Sequence, residues 1–230
     1  MKYASLCVLS YERPDFLIRS LESLKENTKY PYELIVNDDA SLNQKVSSYL
    51  TEQYFNGHIS HLILNSGQNM GVGRAFRNCI GVSNGDYIFK LDADLEYKPG
   101  WLETVVNIIE NNKDAGCVGL FNYLNYVPTD ERFIKLEERE DCNVVKDFVN
   151  SGYGFTRRVW DKFGHALGDD GWQVYVNGKD INLSGEKRGK YKSLIPKEDV
   201  ADNFGFGRDS VYLMPGGGVR PKSKDPKIFK

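Results

Sequence analysis

Residues 87–94, Tyr-Ile-Phe-Lys-Leu-Asp-Ala-Asp, run an apolar stretch straight into two carboxylates one residue apart. Tyr87–Leu91 has the length and apolar content of a buried strand. Where the chain leaves such a strand, Asp92 and Asp94 can approach one hard cation and leave coordination positions open for phosphate oxygens. An Asp-x-Asp pair alone is weak evidence, because acidic pairs also decorate solvated turns. The company the pair keeps decides its meaning.

Outward toward the N-terminus, strand-like and helix-like pieces alternate. Ala4–Leu9 is a short apolar run. Asp15 is placed to cap a helix whose apolar positions Phe16, Leu17, Leu21 and Leu24 recur at helical spacing. Pro31 breaks the chain, and Tyr32–Val36 reads as a second strand ending at Asn37-Asp38-Asp39. Ser41 or Asn43 can cap the next helix, Ile59–Leu64 makes a third strand, and Gly71 and Gly73 open a helix to about Ile80. Asn84-Gly85 then turns the chain into the strand at Tyr87. This rhythm predicts an α/β fold, a mostly parallel central sheet flanked by helices. Ligands of such sheets bind beyond the carboxyl ends of the strands. Ser10-Tyr11, Asp38-Asp39, Asn69-Met70-Gly71 and Asp92–Asp94 all fall there, so four polar clusters describe one site.

After Asp94 the sequence predicts a helix over Pro99–Asn111 and a strand over Ala115–Phe121. Residues 129–142 are charge-dense and read as a surface loop or exposed helix. A short helix is expected near Arg157–Phe163, and residues 183–192 read as a lysine-rich loop. No repeat or linker divides the chain, so a single domain over 1–230 is expected. Its first half, 1–110, carries the clusters, and 111–230 forms the C-terminal half.

The 230 residues are 40% hydrophobic and 27% charged, as in soluble globular proteins. No apolar run reaches the roughly 18 residues of a membrane span. The N-terminus lacks the apolar core of a secretory signal, so a cytoplasmic protein is expected. Cys7, Cys79, Cys117 and Cys142 show no zinc or redox spacing and read as buried structural thiols. Residues 186–230 hold 11 Lys/Arg against 6 Asp/Glu, and the acidic balance lies in the rest. That basic stretch either helps hold an anion or is a solvated tail.

Each cluster has a plainer reading. Asp38 and Asp39 could cap the following helix, or a carboxylate there could read a nucleobase edge. Asn69-Met70-Gly71-Val72-Gly73-Arg74 is a plain turn or a helix start that approaches a ligand closely. Arg77-Asn78 follows one turn later and could face the same pocket.

As an ordered set, Ser10-Tyr11-Glu12-Arg13, Asn37-Asp38-Asp39-Ala40-Ser41, Asn69-x-Gly71, Arg77-Asn78, Gly85-Asp86-Tyr87 and Leu91-Asp92-Ala93-Asp94 resemble the inverting family 2 glycosyltransferases of GT-A fold. The match runs over about residues 4–110. The resemblance implies a nucleotide-sugar donor, often a UDP-sugar, with Mn²⁺ or Mg²⁺. It implies nucleoside contacts from Ser10, Tyr11 and Asp39, a ribose or metal role for Asp92, and Asp94 as metal ligand. Arg13, Asn69, Gly71, Arg74 and Arg77 complete the expected donor set.

Inverting transfer needs one general base for the acceptor hydroxyl. Asp170 and then Asp169, in Asp169-Asp170-Gly171-Trp172, resemble the acidic segment beside the acceptor in bacterial relatives. Glu198-Asp199 competes with them. Trp172 could stack on a sugar or sit in a core. Asn203 begins a segment, through Gly207, that resembles a closing loop, and Arg220 could reach the diphosphate. Relatives often carry a late histidine near the metal; here the segment reads Asp209-Ser210-Val211-Tyr212, which puts a third protein ligand in doubt. The acceptor is left open among a saccharide, a protein and a modified nucleobase. A nucleotidyltransferase on a similar sheet is the rival enzyme, but such enzymes want a glycine-rich loop where this chain has Ser10-Tyr11-Glu12-Arg13-Pro14. A non-catalytic nucleotide-sugar-binding module is the other alternative.

Overall fold

The computed structural model describes residues 1–122, 124, 134–146, 151–163 and 191–204, with the backbone of 212–213 and 219–220. The first half alternates as the sequence predicts: β1 (Ala4–Ser10), α1 (Pro14–Asn27), β2 (Tyr32–Asp38), α2 (Gln44–Phe55), β3 (His61–Leu64), α3 (Val72–Val82) and β4 (Tyr87–Asp92). These four strands are parallel, in the order β3-β2-β1-β4. The third strand is shorter than expected, beginning at His61 rather than Ile59.

The rest of the chain builds β5 (Leu95–Tyr97), α4 (Trp101–Asn111), β6 (Ala115–Gly119), β7 (Lys135–Glu138), β8 (Cys142–Val145), β9 (Gly152–Thr156), α5 (Arg157–Phe163), β10 (Lys192–Pro196) and β11 (Ala201–Asn203). Two further short strands, Tyr212–Leu213 and Val219–Arg220, pair with each other. The main sheet has nine strands, continuing from β4 as β9-β6-β10-β8-β7. β9 is antiparallel to both β4 and β6, β10 is parallel to β6, and β8 is antiparallel to β10 and β7. Only β9 and β8 therefore oppose the common direction: the sheet is mixed, with most strands running one way.

Both faces of the sheet are covered. Leu6, Val8, Phe89 and Leu91 pack with Leu17, Leu21 and Leu24 of α1 and Trp101 of α4. Cys7, Ile35 and Ile88 pack on the other side with Phe76 and Cys79 of α3 and with Tyr153 and Phe155. Burial on both faces is why the parallel strands read as unbroken apolar runs. All four cysteines are free and buried.

Two expectations need correction, and one pair of alternatives is decided. Asp15 does not cap α1: Pro14 takes the first helical position, Arg13 precedes it in the left-handed region, and Asp15 lies in the first turn, 2.5 Å from Lys45 Nζ. That exposed pair contributes at most ~1 kcal/mol. Each of the buried leucines Leu17, Leu21 and Leu24 stabilises by about 1.5–3 kcal/mol, so the apolar face holds α1. At α2, Asn43 rather than Ser41 is the cap, accepting from Lys45 N at 3.0 Å. The charged stretch within 129–142 is neither loop nor helix at Lys135–Glu138: it is the exposed edge strand β7, where charge discourages further pairing.

Gly85-Asp86 stitches the amino ends of the strands together. Gly85 N donates to Ser5 Oγ at 2.8 Å, Asp86 N to Tyr3 O at 2.9 Å, and Arg157 N to Asp86 O at 2.7 Å. A Cβ on Gly85 would lie 2.6 Å from Ser5 N and 2.8 Å from the Ala4 carbonyl carbon, both backbone atoms that cannot step aside. Gly85→Ala should therefore lower unfolding free energy by about 1–3 kcal/mol in chemical denaturation, through overpacking.

Candidate active site

The parallel register levels the strand ends: Ser10 lies beside Asp38, Leu9 beside Asp92, and Asp38 beside Leu64. Beyond β1 and β2 the backbone turns sharply. Glu12, Arg13 and Ala40 have φ of 54°, 56° and 66°, the non-glycine residues with positive φ among those described. Each such residue costs about 1–3 kcal/mol, so neighbouring bonds must impose the conformation. Ser41 supplies them: its amide donates to Asp38 Oδ2 at 3.0 Å, its hydroxyl to Asp38 Oδ1 at 2.6 Å, and its Oγ accepts from Glu12 N at 2.6 Å. Leu42 N donates to Glu12 Oε1 at 2.7 Å. Burial raises the Asp38 pKa while the bonds from Ser41 pull it back.

Asp39 joins the second and third clusters. Its carboxylate accepts from Asn65 Nδ2 at 3.0 Å, from Met70 N at 3.0 Å to each oxygen, and from Gly71 N at 2.8 Å. Asn69 Oδ1 also accepts from Gly71 N, at 3.0 Å. Gly71 precedes α3 with φ 87°, a conformation glycine adopts at no steric cost. Hydrogen bonds to an ionised carboxylate contribute about 1.5–3 kcal/mol each, enough to hold the entry to α3.

The fourth cluster is tied to the first. Arg13 Nη1 lies 3.1 Å from Asp94 Oδ2, and both side chains are largely shielded from solvent. Asp94 Oδ1 is buried and accepts no hydrogen bond from the described residues. Asp92 is ion-paired with Lys90, which is wholly buried within β4. Burial pushes Asp92 up to about 6 against the pull of Lys90, and raises Asp94 against the pull of Arg13.

β11 closes over this corner. Asn203 pairs with Leu95, and Phe204 N donates to Asp94 O at 3.2 Å. The Phe204 ring stacks on Phe16 at 5.4 Å; Arg13 lies over Phe16 at 4.0 Å and Arg19 over Phe204 at 4.3 Å.

Ser10, Tyr11, Arg13, Asp39, Asn69, Gly71, Asp92, Asp94 and Asn203 thus lie on segments brought to one edge of the sheet. Arg74 is exposed in the first turn of α3, and Arg77 is half-buried one turn later. Asp169, Asp170, Trp172 and the side chain of Arg220 lie outside the described residues. Of the competing acids, Asp199 accepts from the Asn122 amide at 2.5 Å and so ties two loops together. Sequence reasoning missed Lys90, Asn65, Phe16 and Phe204 as parts of the site. Lys90 had a visible signal, a lone charge in an apolar strand two residues before Asp92 and therefore on its face.

The donors fit a divalent ion in part. An unpartnered carboxylate oxygen at Asp94 suits a hard cation. Among the described residues no three His, Cys, Asp or Glu side chains cluster closely enough to hold a metal by themselves. The remaining ligands would be phosphate oxygens and water.

Residues 5–175 match the sequence profile of Glycosyl transferase family 2. The chain belongs to that family. Among family relatives, the uncharacterized glycosyltransferase YwdF of Bacillus subtilis is 26% identical over 211 residues, 86% of this chain and 76% of its own. The amylovoran biosynthesis glycosyltransferase AmsB of Erwinia amylovora is 27% identical over 157 residues, 66% of this chain and 52% of its own. The glucosyl-dolichyl phosphate glucuronosyltransferase of Haloferax volcanii is 29% identical over 115 residues, 50% of this chain and 36% of its own. The chain therefore spans only part of several relatives. The GT-A fold is shared with GalNAc-T7, solved with UDP, GalNAc and Mn²⁺ (TM-score 0.63, 17% identity, 87% of this chain and 43% of that one). It is shared too with the mannosyltransferase PcManGT of Pyrobaculum calidifontis, solved with GDP-Man and Mn²⁺ (TM-score 0.62, 17% identity, 86% and 55%).

Asp39→Ala removes the acceptor of the Met70 amide and one of two acceptors of the Gly71 amide, which also donates to Asn69 Oδ1. Hydrogen exchange at Met70 should accelerate strongly and at Gly71 less, and stability should fall by about 1–3 kcal/mol. Unchanged protection would show that Asp39 does not hold the loop.

Proposed function

We propose that this chain transfers a sugar from a nucleotide-sugar, a UDP-sugar in the simplest case, to an acceptor hydroxyl with inversion. The observation that carries the reading is the linking of the four strand-end clusters, Glu12 to Ser41, Asp39 to Met70 and Gly71, and Arg13 to Asp94, whose buried Oδ1 has no hydrogen-bond partner among the described residues. Family membership favours sugar transfer over the synthesis of sugar nucleotides.

Ser10, Tyr11 and Asp39 take the nucleoside, with Asn69 and Gly71 shaping the floor beneath it. Asp39 already serves Met70 and Gly71, and the Met70 amide is shared between its oxygens, so a nucleobase N–H can take over half of that shared bond. Asp92 serves the ribose side and Asp94 holds the metal ion, with Arg13, Arg74 and Arg77 facing phosphate. A bound Mn²⁺ or Mg²⁺ supplies positive charge to the departing diphosphate. Support for a divalent ion comes from the two solved GT-A proteins named above, each with Mn²⁺.

In this reading residues 1–110 bind the donor and 111–230 the acceptor. Asp170 takes the proton of the attacking hydroxyl, with Asp169 second in line; Trp172, Asn203 and Arg220 line the acceptor side. The acceptor is a saccharide, a protein or a modified nucleobase. Among the described residues no helix is long and apolar enough to cross a membrane. The four free thiols support a reducing compartment, the cytoplasm.

Two experiments test the proposal. UDP-glucose, UDP-galactose and GDP-mannose, each with Mn²⁺, should include at least one ligand that raises the melting temperature, and Asp94→Ala should abolish the metal-dependent part. No shift with any donor, with or without metal, contradicts the reading. Asp170→Asn should spare donor binding yet lower transfer by at least about 100-fold, the scale of a lost general base. Full activity of that variant would place the base elsewhere.

A further inference from the structure

Both carboxylates of the Asp-x-Asp pair already have a protein cation. Lys90, buried in mid-strand, holds Asp92, and Arg13 holds Asp94 Oδ2 at 3.1 Å. Arg13 is fixed from several directions. Its backbone sits in the left-handed turn that Ser41 imposes through Glu12. Its guanidinium lies on Phe16, which is stacked on Phe204, whose amide is bonded to the carbonyl of Asp94 itself. A guanidinium held this way cannot drift off as a surface arginine would. Side-chain exposures of 17% and 11% leave its attraction for Asp94 poorly screened.

The pair is thus close to neutral before any donor arrives. An incoming divalent ion meets one carboxylate oxygen that has no hydrogen-bond partner among the described residues, and two fixed positive charges. We infer that Arg13 is a resident cation at Asp94 that keeps the free protein from taking up a divalent ion, so that metal loads only together with the nucleoside diphosphate. The diphosphate supplies both the missing ligands and the missing negative charge, and gives Arg13 a second anion to face. This rests on the proposed donor site. It makes Arg13 a positioning residue that sets the order of loading.

The test is a titration of Mn²⁺ at pH 8, read by the electron paramagnetic resonance signal of free Mn²⁺, with and without saturating UDP or GDP. Wild-type protein should bind Mn²⁺ at least about tenfold more weakly without nucleotide than with it. R13M should tighten Mn²⁺ binding to the nucleotide-free protein by about tenfold or more, because it leaves the Asp94 carboxylate uncompensated. R13K, which keeps the charge, should stay near wild type. R13M that binds Mn²⁺ alone no better than wild type, while still binding it with nucleotide, overturns the inference and leaves the donor site standing. Should R13M fail to fold, equal Mn²⁺ affinity of wild type with and without nucleotide overturns it equally. Uptake of Mn²⁺ by none of the proteins, with either nucleotide, overturns the metal-dependent donor reading and this inference with it.

Discussion

Parallel hydrogen bonding of β1 to β2 on one side and to β4 on the other sets Ser10 against Asp38 and Leu9 against Asp92. A slip of one residue in either pairing would turn the strand's side chains to the opposite face and move its polar end out of line. The buried faces forbid that slip. Leu6 and Val8 must meet α1, and Cys7 must meet α3, so the core that stabilises the sheet also aligns the site. Stability and function are joined here by register.

What the strand ends carry is a network of charge-assisted bonds. Asp38 shapes the turn after β2, Asp39 holds the entry to α3, and Arg13 links the turn after β1 to Asp94. Strained backbone at Glu12, Arg13 and Ala40 is tolerated because these bonds over-determine it. The same residue types that bind a nucleotide diphosphate are thus engaged with one another beforehand. The site is held in shape with the Asp92–Asp94 pair balanced by Lys90 and Arg13, and one buried oxygen of Asp94 is left without a hydrogen-bond partner among the described residues.

The first half of the fold was legible because β1, β2 and β4 are buried apolar runs and β1, β2 and β3 are each followed by a helix; the half-buried edge strand β3 was the one whose start was misplaced. The second half was not. β5, β7 and β11 are three or four residues long, too short to show a period; β5 and β11 pair with each other across a long stretch of sequence, and β7 is held only by its neighbour β8. Nothing local in Gly152–Thr156 says that it inserts antiparallel between β4 and β6; a ring contact does, since a Cβ on Gly154 would lie 2.4 Å from Phe89. Within the site, Asp92 and Asp94 were visible as a motif, and Lys90 as a lone charge on the face of Asp92, but Arg13 as the cation of Asp94 was not. The Phe16–Phe204 stack that steadies Arg13 joins residues 188 positions apart. Motif spacing reveals ligands contributed by one segment; it is silent on counter-charges delivered by tertiary packing.

A crystal structure of the protein with UDP and Mn²⁺ soaked in tests the central claim most directly, that the four strand ends form one donor site. The account predicts the nucleoside across the ends of β1 and β2, between Tyr11 and Asp39, with the diphosphate at the end of β4 and the ion on Asp94. A nucleotide bound away from the carboxyl ends of these strands, or at them with its diphosphate remote from Asp94, would contradict it.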